Sequence, residues 1–199
     1  MGTQTMGKTA IFYVNGYGVP PEVMEDANYA RYLGQVLRRV RREDGPVRLY
    51  LAGGATNPLL PGRTEAAAME QLVREFLSFG PAPPSLDIVR LEAATDLRGN
   101  LEAFRAHAGV NVEAAVFCEY ARQDRVRFYV RRLLPRCRVH PLTFDQDQYP
   151  RTADRLRQLP ETLLHVLAWY VPPLRPLVLT PLRARHMRRD AVRRARPSP

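Results

Sequence analysis

The stretch that decides the fold runs from Leu49 to Val73 and reads LYLAGGATNPLLPGRTEAAAMEQLV. An apolar run ends in the pair Gly53 and Gly54, and Thr64 and Glu65 then open a segment with helical periodicity. Glycines at the end of a strand let a ligand approach bare backbone, and the first turn of a helix presents unpaired N–H groups to an anionic or polar group. The stretch therefore predicts a strand, a ligand-binding loop and a helix.

The same alternation of strand and helix extends in both directions along the chain. Apolar runs predict five strands, over Thr9–Val14, Val47–Ala52, Leu86–Leu91, Val112–Cys118 and Val139–Phe144. Helical spacing predicts helices over Pro21–Arg42, Thr64–Phe79, Asp96–His107, Asp124–Leu134 and Pro160–Tyr170. Strands that alternate with helices pair in parallel through right-handed crossovers, so the predicted fold class is α/β. We expect a doubly wound, mostly parallel, five-stranded Rossmann-like sheet flanked by helices.

Composition and charge divide the chain into a body and a tail. A chain of 199 residues with 45% hydrophobic and 25% charged residues is typical of one globular domain, which we place at residues 1–170. Residues 171–199 are rich in proline and arginine. Residues 183–199 contain seven arginines and one aspartate, net +6 of the total +10. This tail predicts a solvated appendage or contact with an anionic membrane. Binding of nucleic acid is disfavoured because no aromatic residues lie between the arginines.

Sequence signals for a membrane span and for a metal site are weak. The apolar segment Leu163–Leu182 contains Arg175 and four prolines, which argue against a transmembrane helix. The first residues lack the features of a secretory signal. Cys118 and Cys137 have no metal-ligand spacing, and we expect Cys118 to be buried and structural. The histidines have no such spacing either, so no metal is predicted. We expect a reduced, cytoplasmic setting, with peripheral contact with the inner membrane as the alternative.

In a sheet of this kind, ligands bind outside the carboxyl ends of the strands, so the residues after each strand are the candidates for a site. The candidates are Asn15, Gly16 and Gly18 after the first strand, Gly53, Gly54, Thr64 and Glu65 after the second, Glu92, Asp96 and Asn100 after the third, and Glu119, Arg122 and Arg125 after the fourth.

Several of these residues have two interpretations. Glu65 either complements the dipole of its helix or accepts hydrogen bonds from a ligand. Asp96 either caps the third helix or shares a face with Glu92 and Asn100. Asn100 would read an adenine edge or a hydroxyl if it faces a cleft, and otherwise lies on the surface.

The two arginines after the fourth strand are spaced to act together. Arg122 and Arg125 stand at positions i and i+3, where two guanidinium groups could clamp a phosphate or a carboxylate. The alternative is a solvated basic helix face, because further arginines follow in the same helix. The sequence leaves both interpretations open.

Four segments, read together, resemble a known family. AIFYVNGYG, LAGGATNPLLPGRTEAAAM, LEAATDLRGNLEAF and VFCEYARQDRVRFYV follow, in order and spacing, the motifs of the YdcF-like family, which includes the SanA and ElyC envelope proteins. The resemblance covers roughly Thr9 to Phe144. Ala94, Leu97 and Gly99 depart from the family's third motif. Arg122 stands where the family has a histidine, and a guanidinium cannot cycle protons near neutral pH. The resemblance therefore leaves open whether the chain is an enzyme.

The resemblance implies a ligand and an alternative role. It implies a small-molecule-binding protein whose ligand is nucleotide-like, with S-adenosylmethionine as one candidate. The alternative is a role in cell-envelope or polysaccharide metabolism, acting on an anionic or lipid-linked glycan. A third interpretation, nucleic-acid binding, would depend on the basic tail alone. The oligomeric state has no sequence signal.

Overall fold

Five parallel strands form one sheet in the computed structural model, which describes residues 8–20, 22–80, 83, 85–143, 152–174, 176–177 and 180. The strands are β1 (Ala10–Asn15), β2 (Val47–Ala52), β3 (Leu86–Leu91), β4 (Ala115–Glu119) and β5 (Arg138–Leu142). Their order across the sheet is β3-β2-β1-β4-β5, and every neighbouring pair is parallel. The predicted doubly wound α/β fold is confirmed.

Among the described residues, six α-helices connect and flank these strands. They are α1 (Ala27–Val40), α2 (Glu65–Ser78), α3 (Leu97–Ala108), α4 (Gln123–Leu133), α5 (Thr152–Arg157) and α6 (Leu159–Tyr170). Short 3-10 turns span Val23–Glu25, Tyr120–Arg122 and Pro172–Leu174. The sequence did not predict α5, whereas α6 agrees with the predicted last helix to within one residue.

Capping side chains fix where the first two helices begin. The Asp26 carboxylate accepts hydrogen bonds from the N–H groups of Asn28, at 3.0 Å, and Tyr29, at 2.9 Å, so α1 begins at Ala27. The helix predicted to begin at Pro21 was therefore too long. Thr64 caps α2 as expected, and its hydroxyl accepts from the N–H of Ala67 at 3.1 Å.

The fourth strand begins later than predicted. Val112 and Ala114 are buried, but the pairing of β4 with β1 starts at Ala115, opposite Phe12. The apolar residues before Ala115 pack into the core from a loop, which explains why the predicted strand started at Val112. The late start also leaves Ala10 and Ile11 of β1 without a partner residue on β4.

The core has two layers, one on each face of the sheet. Phe12 and Val14 of the central strand pack with α1 and α2, whereas Tyr13 points to the other face and packs with α3 and α4. The six apolar residues that predicted α1 are all buried there: Tyr29, Tyr32, Leu33, Val36, Leu37 and Val40. Helices thus cover both faces, and the polar loops lie at the two edges formed by the strand ends.

The described part of the chain contains no helix with both the length and the apolar character needed to cross a membrane. The predicted tail, residues 171–199, falls mostly outside the described residues, which beyond Tyr170 are 171–174, 176–177 and 180.

Candidate functional site

The loops after β1 and β2 lie side by side at the carboxyl edge of the sheet, because the two strands are neighbours. The N–H of Gly16 donates to the carbonyl of Ala52 at 2.8 Å, and the N–H of Gly53 donates to the carbonyl of Leu91 at 3.0 Å. The glycine-containing loops that the sequence singled out are therefore brought together. Asn15, the last residue of β1, is buried, and its side chain donates to the carbonyl of Gly16 at 3.0 Å.

The Glu65 carboxylate joins these two loops. Its Oε1 atom accepts from the N–H of Gly18 at 2.7 Å and from the Thr56 hydroxyl at 2.6 Å, and the residue is only 6% exposed. A Cβ added at Gly16 or Gly53 would lie 2.7 or 2.6 Å from the Cβ of Glu65, too close for any side chain. Glu65 thus holds the loops in place, and a direct contact between Glu65 and a ligand stays a prediction.

A second pair of predicted residues links α2 to β3. The Thr64 hydroxyl donates to Oε1 of Glu92 at 2.5 Å while it caps α2. Glu92 is also 3.8 Å from the Arg90 guanidinium through its other oxygen. Two candidates that lie 28 residues apart in sequence are therefore in direct contact at this edge.

Asp96 and Asn100 occupy the start of α3. Asp96 is the N-cap, and its carboxylate accepts from the N–H of Gly99 at 2.8 Å, which confirms the capping interpretation. Because α3 begins only at Leu97, Glu92 does not belong to the same helix. Asn100 is 4% exposed, so it is not a surface asparagine, and its Oδ1 atom has no hydrogen-bond partner in the described part of the chain. An unpaired buried amide oxygen is costly and calls for a donor.

Tyr17 connects the first loop to the end of β4. Its hydroxyl accepts from the N–H of Glu119 at 2.6 Å, and its own N–H donates to the Tyr29 hydroxyl at 2.7 Å. The Arg122 guanidinium lies over the Tyr17 ring, 4.9 Å from the centroid, and is 3.1 Å from a Glu119 carboxylate oxygen. Burial raises the pKa of the Tyr17 hydroxyl well above its ordinary value. This tyrosine remains protonated and serves as a structural link between the loops.

Arg125 is directed into a buried network between α4 and α6. Its guanidinium pairs with the Glu161 carboxylate and lies 3.3 Å from Nε2 of His165, whose Nδ1 is 3.0 Å from the Tyr129 hydroxyl. Burial, with help from Arg122, lowers the pKa of Arg125 to about 10. The proposed clamp of Arg122 and Arg125 stays a prediction, and Arg125 already holds a carboxylate of its own chain.

Burial raises the pKa of both cysteine thiols in this chain. Cys118 is buried, as predicted, and burial raises its pKa to about 12. Cys137 is a second free cysteine whose pKa is raised to about 11 by burial. Among the residues with described positions, no group of three His, Cys, Asp or Glu side chains could hold a metal ion.

Sequence reasoning missed several residues that build the site. Tyr17 was not named as a candidate, although it stands between two candidate glycines. Thr56 was not named because it lies in the middle of a long loop. The pair Glu161 and His165 stands at i and i+4 in an otherwise apolar helix, which was an available signal for a buried polar contact.

Comparison of the chain with family models, curated proteins and solved structures found no match.

Proposed function

We propose that the chain binds a nucleotide-like small molecule at the carboxyl edge of the sheet. The observation that carries the proposal is the buried Asn100 amide oxygen, which has no partner among the described residues although it lies in the first turn of a helix at this edge. A ligand hydroxyl or amino group would supply the missing donor. The close-fitting glycine loops beside it are typical of an edge where a ligand approaches backbone.

The charges at this edge favour a ligand that is rich in hydrogen-bond donors. Glu92, Asp96 and Glu119 supply carboxylate oxygens there, and Arg122, one of the cations after β4, is paired with Glu119. Carboxylates repel phosphates and accept from ribose hydroxyls. S-adenosylmethionine, which has ribose hydroxyls, amino groups and a sulfonium charge, fits this set better than a nucleoside triphosphate. The two free cysteines support a reducing, cytoplasmic setting.

Isothermal titration with S-adenosylmethionine tests the proposal, after native mass spectrometry of gently purified protein has shown whether a small molecule is retained. Asn100→Ala should weaken binding by about tenfold or more, because the ligand loses its buried acceptor. Asn111→Ala, at an exposed asparagine, is the matched control and should bind as the parent does. Because Asn100 Oδ1 has no partner among the described residues, the substitution breaks no hydrogen bond of that atom within the fold. Equal affinity for both variants would refute the assignment.

A second candidate function is attachment to an anionic membrane surface, which the outer face of α6 favours. Leu163, Leu167 and Tyr170 are 65%, 42% and 63% exposed and follow each other at helical spacing. The arginine-rich residues 183–199 supply positive charge after this apolar face. An apolar helix face and a basic segment are the two signals that together give stable peripheral binding. Self-association through this face is less favourable, because it would bring two chains of net charge +10 together.

Flotation with vesicles of phosphatidylcholine and phosphatidylglycerol tests this second candidate. Leu163→Ser/Leu167→Ser should reduce vesicle binding about tenfold, whereas Leu59→Ser/Phe79→Ser should leave it unchanged. Leu59 and Phe79 are equally suitable for substitution, at 69% and 79% exposed, but lie elsewhere on the chain. Absence of vesicle binding by the full chain, or equal loss in both variants, would refute the membrane role.

A further inference from the structure

A groove opens at the amino-terminal edge of the sheet, opposite the site described above. Because β4 begins only at Ala115, the start of β1 is uncovered on that side, and a cavity of about 770 Å³ lies against Ala10 and Ile11. The end of α1 and the loop before β5 form its other walls. Its volume lies within the range of about 300–1,000 Å³ that small-molecule sites occupy.

Four exposed arginines surround this cavity: Arg39 and Arg42 from the end of α1, and Arg136 and Arg138 from the start of β5. We call this feature the arginine groove. None of the four has a carboxylate within 4 Å in the described part of the chain, whereas several other arginines, such as Arg48 and Arg155, are ion-paired. Four guanidinium groups from two separate segments therefore line one space without an ion pair among the described residues.

The acidic residues of the groove do not cancel this charge. Glu113 lines the cavity, but its carboxylate is paired with Lys8. Glu43 is the other lining carboxylate. With four arginines against these two carboxylates, one of them already neutralised, the groove carries a net positive charge.

One contact and one pKa shift show that the positive charge reaches the wall of the groove. The Arg39 guanidinium lies 6.0 Å from the centroid of the Phe117 ring, which holds it towards the sheet. Burial lowers the pKa of His140, also in the wall, and the positive charges of Arg39 and Arg138 lower it further. The positive potential therefore extends into the groove.

We propose that the arginine groove binds a small anion that carries phosphate groups. Guanidinium groups form paired hydrogen bonds with phosphate oxygens, and arginines without internal partners can make these bonds without breaking an ion pair. This site differs in chemistry from the carboxyl edge, where carboxylate and amide oxygens dominate. The proposal is independent of the proposed S-adenosylmethionine site and does not rest on it.

Pyrophosphate, titrated calorimetrically into the full chain at constant ionic strength, is the probe for this site. Arg136→Gln/Arg138→Gln should weaken pyrophosphate binding about tenfold or more, because each arginine removed costs at least one charge-assisted contact. The control is Arg105→Gln/Arg131→Gln, which removes the same two charges from exposed arginines of α3 and α4 that have no ion pair in the described chain. This control should bind as the parent does. Far-UV circular dichroism and thermal unfolding should be unchanged in both variants.

The source of the phosphate is distinguished by a second arm with vesicles of phosphatidylcholine and phosphatidic acid. If the groove variant loses pyrophosphate binding and the control variant keeps it, the result supports a free phosphorylated ligand. Vesicle binding that depends on the groove arginines, without pyrophosphate binding, supports a lipid headgroup as the source. Equal weakening in the groove variant and in the control would show a general charge effect and overturn the proposal. So would the absence of binding to both probes.

Discussion

Replacing Glu65 by alanine should destabilise the fold strongly, because this side chain joins two loops at the carboxyl edge. The carboxylate is 6% exposed and accepts two short hydrogen bonds, from the N–H of Gly18 and from the Thr56 hydroxyl. Hydrogen bonds to a charged group contribute about 1.5–3 kcal/mol each, and leaving a buried N–H unpaired costs about 1–3 kcal/mol. We therefore expect Glu65→Ala to lower the free energy of unfolding by about 3–5 kcal/mol.

Smaller changes at the same contact should cost less. Glu65→Gln keeps the size of the side chain and removes its charge, so we expect a loss of about 1–2 kcal/mol. Thr56→Val removes one hydrogen bond, at about 1 kcal/mol. The double variant Thr56→Val/Glu65→Ala should cost little more than Glu65→Ala alone, because both substitutions break the same bond.

Urea unfolding followed by far-UV circular dichroism measures these differences as shifts in the midpoint at constant slope. Glu75→Ala makes the same substitution on the exposed face of α2 and should change stability by less than about 0.5 kcal/mol. A loss below about 1 kcal/mol for Glu65→Ala would refute the reasoning. So would additive effects of the Thr56 and Glu65 substitutions.

Two further predictions concern the α4–α6 contact and alkaline pH. Glu161→Gln leaves the buried Arg125 without its carboxylate and should lower the free energy of unfolding by about 3 kcal/mol. Urea unfolding followed by Trp169 fluorescence measures this loss. The control Glu102→Gln, in a more exposed pair with Arg98, should lower it by less than about 1 kcal/mol. Equal costs would contradict a buried network. Burial raises the pKa of Cys118 from 9.0 to about 12, so the folded chain keeps a proton that the unfolded chain releases above pH 9. Stability should therefore be full below pH 9 and fall towards pH 12, and Cys118→Ala should make this fall shallower by up to about 1.4 kcal/mol per pH unit. An unchanged slope in Cys118→Ala would be the contrary result.

The sequence was sufficient for the fold where apolar runs have clear ends. β2 and β3 lie where predicted, because polar, glycine or proline residues flank each run on both sides. The start of α1 was misplaced because the capping residue Asp26 was not given weight against the preceding residues. The start of β4 was misplaced because hydrophobicity does not distinguish a buried loop residue such as Val112 from a strand residue.

The site was predictable as a location but not as a set of contacts. The rule that ligands bind beyond the carboxyl ends of parallel strands places Gly18 and Glu65 at one edge. It does not say that the Glu65 carboxylate accepts from Gly18, 47 residues away. The Arg125–Glu161 pair depends on how α6 docks against α4, which no local pattern encodes. Contacts of this kind follow from tertiary packing, so they required the structure.

The tight fit of Glu65 against Gly16 and Gly53 has a consequence for how this chain can change. A methyl group at either glycine would occupy the space that the Glu65 side chain fills. Shortening Glu65 would make that space available, but it would also release Gly18 and Thr56. If Gly16, Gly53 and Glu65 are randomised together, we therefore expect folded variants with a larger residue at either glycine position only when the residue at position 65 is shorter than glutamate. We therefore expect Gly16, Gly53 and Glu65 to change together, although they lie as far apart as residues 16 and 65 in the sequence.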